Sequence, residues 1–148
     1  ALISTCTALG ALVAGVDART HSLYTEFGRS LGLAFQVQDD LLGIWGDAAL
    51  TGKSTESDLL TGKKSLPVLY GISQKGRFAS RWDEGPIRQD EVPHLARVLE
   101  EEGAYSYTQQ TSAELTEKAL QALAEAQPVG ECAGALIELA NQLVNRRG

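Results

Sequence analysis

Asp39 and Asp40 stand side by side within the apolar stretch AFQVQDDLLGIWGD, residues 34–47. Two adjacent carboxylates inside a helix cost propensity and repel each other, and surface helices more often carry Glu or Lys at such places. Oxygen donors grouped on one helix face suit a hard cation such as Mg²⁺, which takes one or two carboxylates, keeps several waters and completes its shell with phosphate oxygens. The segment that follows, TGKSTESDLLTGKKSLP, residues 51–67, supplies Lys53, Lys63 and Lys64 as compact positive charges. Gly52 and Gly62 would let its backbone come close to a ligand. Carboxylates for a divalent cation beside ammonium groups for its anionic ligand would suit Mg²⁺-bound diphosphate. Each half alone also reads as solvated surface, and residue types alone leave that alternative open. The segment is not a P-loop, because the G-x-x-x-x-G-K-[ST] spacing is absent and no strand precedes it.

The element carrying the aspartates is expected to be a long helix from about His21 to Trp45. Advancing about 100° per residue puts Gln36, Asp39, Asp40, Gly43 and, if the helix reaches it, Asp47 on one face. Leu31, Ala34, Phe35, Leu41, Leu42 and Trp45 fall on the other, so the aspartates are expected to lie off the apolar core. Ahead of it, Ala1 to about Val16 reads as a helix whose Ala8, Gly10, Ala11, Ala14 and Gly15 permit close approach of a neighbour, with Asp17 and Thr20 as caps for the next element. Residues 47–64 read as a polar loop, and residues 65–72 as a short helix with Pro67 in its first turn. Residues 76–89 read as an exposed connection with at most a helical turn. Asp90 can cap a helix running through Glu102 and stopped by Gly103, with the acidic run 100–102 as a solvated end. Residues 104–126 pack Leu115, Ala119, Leu120 and Leu123, and residues 129–147 pack Leu136, Ile137, Ala140, Leu143 and Val144. No strand-like alternation appears, so the expected architecture is all-α with about six helices in one domain, residues 1–148.

Composition narrows the classes of partner. A net charge of −6 and the absence of a basic stripe argue against nucleic acid. The apolar opening run ALISTCTALGALVAGV is shorter than the ~20 residues a bilayer crossing needs and has no basic flank, so a buried helix is the better reading. Cys6 and Cys132, far apart in alanine-rich surroundings, are expected to be free buried thiols, which fits a reducing cytoplasm. His21 and His94 have no metal-ligating partner at helical spacing and read as surface or capping groups. Trp45 and Trp82 read as packing residues, and Arg146 and Arg147 as charges complementing a helix C-terminus.

Taken in order, LGLAFQVQDDLLGIWGD, TGK, SDL and GKKSLP resemble the second aspartate-rich region of the trans-type polyprenyl diphosphate synthases, the family of farnesyl and geranylgeranyl diphosphate synthases. The resemblance implies the C-terminal half of an all-α isoprenoid synthase helical bundle, in which two aspartate-rich helices face each other across a cavity. It implies Mg²⁺ as cofactor, and an allylic diphosphate and isopentenyl diphosphate as substrates of a head-to-tail condensation. Carried over by position, Asp39 would bind Mg²⁺, with Asp40 ligating it or supporting it through water. Gln36, Lys53 and Lys63 would contact diphosphate, and Asp58 would orient waters of the metal shell. Asp39, Asp40 and Lys53 would thus form the catalytic set.

Two departures qualify the match. Gly43 stands where the family's D-D-x-x-D pattern has its third aspartate, with Asp47 one turn later as a possible substitute. No first aspartate-rich motif occurs in these 148 residues, and the chain opens in mid-pattern, which implies a fragment inactive by itself. A different class of function is a non-catalytic helical partner subunit, which would associate with a second copy or with a missing N-terminal half. A related terpene cyclase would need N-x-x-x-S-x-x-x-E, which is not apparent.

Overall fold

The computed structural model describes residues 1–46 and 57–144, and among them regular structure is entirely helical. The helices are α1 (Leu2–Val13), α2 (Ala18–Trp45), α3 (Asp58–Thr61), α4 (Leu66–Ser73), α5 (Arg77–Asp83), α6 (Val92–Glu101), α7 (Ala104–Glu125) and α8 (Glu131–Val144), with a 3₁₀ turn at Gln89–Glu91. The six expected helices are present. The two additional ones, α3 and α5, fall where loop and connection were expected, because four and seven residues are too short to show a helical period. Asp47, Lys53, Arg146 and Arg147 lie outside the described residues. No described helix is long and apolar enough to cross a membrane.

The chain divides into two compact units, one joining Ala1–Gln36 to Thr111–Arg147, the other built on Val37–Gln110. In the first, Phe27, Leu31, Ala119, Ala122, Leu123 and Ala140 form a buried cluster, flanked by Ile3, Tyr24, Leu120 and Leu136. Helix α2 starts three residues before the expected His21, at Ala18, because Asp17 caps it by accepting the Thr20 amide at 2.9 Å. Close approach of α1 and α2 rests on Gly28 rather than on the small residues of α1. A Cβ at Gly28 would overlap Thr7 Oγ1 and stand 2.9 Å from the Ile3 carbonyl oxygen, whereas among the described residues Gly10 and Gly15 have nothing within 4 Å. Leu2, Leu9, Leu12 and Val13 of α1 are exposed, as is Ile137 of α8, against expectation. Cys6 and Cys132 are free but exposed rather than buried, since helical spacing puts Cys6 on the face of the exposed Leu2, Leu9 and Val13, and Cys132 on that of the exposed Leu139.

In the second unit, Leu59, Val68, Phe78, Ile87, Leu95, Val98, Leu99 and Ala104 form the core. Trp45 and Trp82 pack against it as expected. The Trp45 indole N–H donates to the Ala96 carbonyl at 3.3 Å and its ring meets Tyr105 edge-on at 5.1 Å, while Trp82 lies 5.6 Å from Phe78. Asp90 does not cap α6. It lies within the 3₁₀ turn, where Glu91 accepts the Arg88 amide at 2.9 Å. Nor is Glu102 merely a solvated end: its Oε1 accepts the Arg77 amide at 2.7 Å and the Phe78 amide at 3.4 Å, capping α5 from a distance. Gly103, at φ +88°, turns the chain out of α6 as expected.

Candidate functional site

The aspartate-bearing turn of α2 belongs to the second unit, and the end of the lysine segment folds back onto it. Ser57 starts α3 by accepting the Leu59 amide on its hydroxyl at 3.3 Å. Gly62, at φ +67°, ends that helix in the left-handed conformation that glycine adopts without penalty. The resulting reversal lets the Lys63 amide donate to the Asp58 carbonyl at 3.0 Å and brings the Lys63 side chain back over the Asp58 carboxylate.

Lys63 Nζ then donates to two carboxylates, Asp40 Oδ1 at 3.0 Å and Asp58 Oδ2 at 3.1 Å. The two acids are buried, and the Lys63 side chain is 46% exposed. Burial tends to depress the ammonium's pKa, but the hydrogen bonds it donates to Asp40 and Asp58 outweigh that and raise it above the ordinary lysine value. The second oxygen of Asp40 accepts the Leu66 amide at 2.9 Å. Leu66 is the first residue of α4, whose amide has no partner within its own helix, so a negative group there also meets the favourable end of the helix dipole.

These contacts correct the expectation that both aspartates stay off the core. Asp40 is 6% exposed, whereas Asp39 is half-buried. What makes Asp40 tolerable at depth is a cation and a backbone amide, the partners a buried carboxylate requires. Asp58, expected in a polar loop, is 7% exposed. Gly43 adjoins it: a Cβ built there would lie 2.7 Å from Asp58 Cγ and from both of its carboxylate oxygens. Gln36 is exposed on α2. The structure thus brings together Asp40, Asp58 and Lys63, while Lys53 falls outside the described residues. Leu66 escaped the sequence reading, because a backbone amide carries no residue-type signal.

Among the described residues no three His, Cys, Asp or Glu side chains form a ready cage for a metal ion. The donors present are carboxylate oxygens, and Asp40 and Asp58 already share one ammonium. Such a set fits a hydrated Mg²⁺ held by one or two carboxylates and completed by phosphate oxygens, rather than a cation enclosed by protein. His21 and His94 stand on different helices, half-buried and exposed respectively.

A family model described as Polyprenyl synthetase matches residues 1–99. A geranylfarnesyl diphosphate synthase of Aeropyrum pernix is 34% identical over 120 residues, covering 80% of this chain and 38% of that protein. The crystal structure of a polyprenyl synthetase from Streptomyces coelicolor A3(2) superposes with a TM-score of 0.84 at 34% identity, over 97% of this chain and 46% of that one. A geranylgeranyl pyrophosphate synthase from Corynebacterium glutamicum, complexed with isoprenyl diphosphate and magnesium, matches with a TM-score of 0.77 at 28% identity, over 94% of this chain and 41% of that one. The chain therefore spans less than half the length of each of these proteins.

Proposed function

Because this chain belongs to the polyprenyl synthetase family, we propose that it carries the diphosphate-binding, second aspartate-rich half of a Mg²⁺-dependent prenyltransferase site. In the reaction, the allylic C–O bond breaks and diphosphate leaves with the electron pair. The double bond of isopentenyl diphosphate attacks the allylic carbon, and loss of a proton restores an alkene in the lengthened chain. Asp39 would hold Mg²⁺, with Asp40 ligating it or supporting it through water, and the ion would supply positive charge for the departing diphosphate. Gln36 and Lys53 would contact diphosphate oxygens. Lys63 has three N–H donors, two of them given to Asp40 and Asp58, and the third would serve the anion.

The observation that carries this reading is the return of residues 58–66 onto the aspartate turn, with one ammonium within 3.1 Å of carboxylates from both. The magnesium and isoprenyl diphosphate named with the Corynebacterium relative support the ligand class. Titration calorimetry with inorganic diphosphate tests it directly: the chain should bind diphosphate with Mg²⁺ and not with EDTA, and Asp39→Asn should abolish the difference. Mg²⁺-independent binding, or none, would overturn the reading. Only one adjacent aspartate pair occurs in the 148 residues, so we expect no elongation when the chain alone meets farnesyl diphosphate and isopentenyl diphosphate.

The exposed apolar side chains of α1 favour a second reading, a helical partner subunit that pairs with another copy or with a separate N-terminal half. Its assay is sedimentation. A concentration-independent monomer that still binds Mg²⁺-diphosphate would exclude it. A reducing, cytoplasmic setting suits either reading, given two free thiols in contact with solvent.

A further inference from the structure

We infer that Gly43 and Asp58 form a complementary pair in which the absent side chain at 43 is the seat of the Asp58 carboxylate, making Gly43 a positioning residue for the Asp40–Lys63–Asp58 cluster. The inference deepens the proposed function and rests on it only for what the cluster does, not for how it is built.

The geometry is specific to this position. All three carboxylate atoms of Asp58 lie 2.7 Å from where a Cβ of residue 43 would stand, far inside van der Waals contact. Asp58 cannot readily turn away, because it is a short side chain in a buried turn and Lys63 holds its Oδ2 at 3.1 Å. Displacing it would also loosen Lys63, which spans to Asp40, and through Asp40 the amide of Leu66. Any residue other than glycine at 43 therefore works against four groups at once. A third carboxylate reaches this face of α2 from residue 58 instead of residue 43.

The same device recurs at Gly76, where a Cβ would stand 2.5 Å from Glu102 Oε1, the atom that caps α5. That pair has no lysine bridge and no member among the candidate site residues, so it serves as an internal control.

The test is a set of variants of the 148-residue chain, read by melting temperature and by the Mg²⁺ concentration that half-saturates diphosphate binding. At an ordinary interior helix site, replacing Gly by Ala raises stability. Here Gly43→Ala should lower the melting temperature by about 3–6 °C. In the Asp58→Ala background the same change should raise it, because the seat is then empty. Gly43→Ala should also shift the Mg²⁺ midpoint upward by about tenfold, whereas Gly76→Ala should lower the melting temperature and leave that midpoint in place. A rise in melting temperature for Gly43→Ala alone, or an equal loss with and without Asp58, would overturn the pairing. An unmoved Mg²⁺ midpoint beside the predicted thermal pattern would overturn the positioning role. If the parent chain binds no Mg²⁺-diphosphate, the proposed function fails, and the thermal cycle still decides the pairing.

Discussion

The carboxylate of Asp40 on α2 accepts the backbone amide of Leu66 at 2.9 Å, so a side chain 26 residues upstream caps the first turn of α4. Its other oxygen holds Lys63 at 3.0 Å. Replacing Asp40 by Ala leaves the helix-terminal amide of Leu66 without this acceptor and leaves Lys63 with Asp58 alone of its two carboxylates. The expected loss is about 1–3 kcal/mol in urea denaturation, moderated by the half-exposed lysine. Asp40→Asn keeps an acceptor for Leu66 and should cost less than Asp40→Ala. Equal losses for the two would mean that the amide contact contributes nothing.

Among the described residues, Ser65 occupies the N-cap of α4 without a capping hydrogen bond, and its buried hydroxyl meets no partner. Substituting an N-cap serine by alanine typically costs about 1 kcal/mol. Here Asp40 serves the first amide, so Ser65→Ala should change unfolding free energy by less than about 0.5 kcal/mol. A full capping loss would show that the hydroxyl acts in solution as it does not in the structure.

At the interface of α1 and α2, Gly28→Ala would drive a methyl group to 2.9 Å from the backbone of Ile3 and Ser4, neither of which can rotate aside. Overpacking of this kind costs about 1–3 kcal/mol or more. A melting curve displaced upward, as helix propensity alone would give, would refute the close contact.

Acid sensitivity should centre on Glu91. Its carboxylate receives Arg81 Nε and Nη2, each at 2.8 Å, and the Arg88 amide at 2.9 Å, which hold its pKa down to about 2 from an ordinary 4.5. A group whose folded pKa is depressed contributes stability that is complete above its unfolded value and is lost as pH falls through the folded one. The urea midpoint should therefore fall between pH about 4.5 and about 2, and Glu91→Gln should flatten that part of the profile. Parallel profiles for the two proteins would sink the assignment.

Sequence periodicity sufficed where an element was long or its signal local. The apolar face of α2 was legible, with Leu31, Ala34 and Leu41 buried and Gln36 exposed away from them. So were the Asp17 cap and the Gly103 stop. What escaped were groups satisfied from a distance. Asp40 and Glu102 look like surface acids to any local reading, yet each caps a helix that begins elsewhere in the chain. Of the residues expected by type around a diphosphate, Lys63 does meet Asp40. That Asp58 would be buried beside Gly43 was not legible, because α3, at four residues, shows no period, and a missing side chain gives no hint of what fills its place.

Cys6 and Cys132 are the only thiols in the sequence, both open to solvent and both in the unit that lacks the Asp40–Lys63–Asp58 cluster. Maleimide chemistry can therefore attach a fluorophore, a spin label or a surface tether to the protein as it stands, with no engineered handle. The reporter would leave the carboxylates and lysine unmodified while ligand is added.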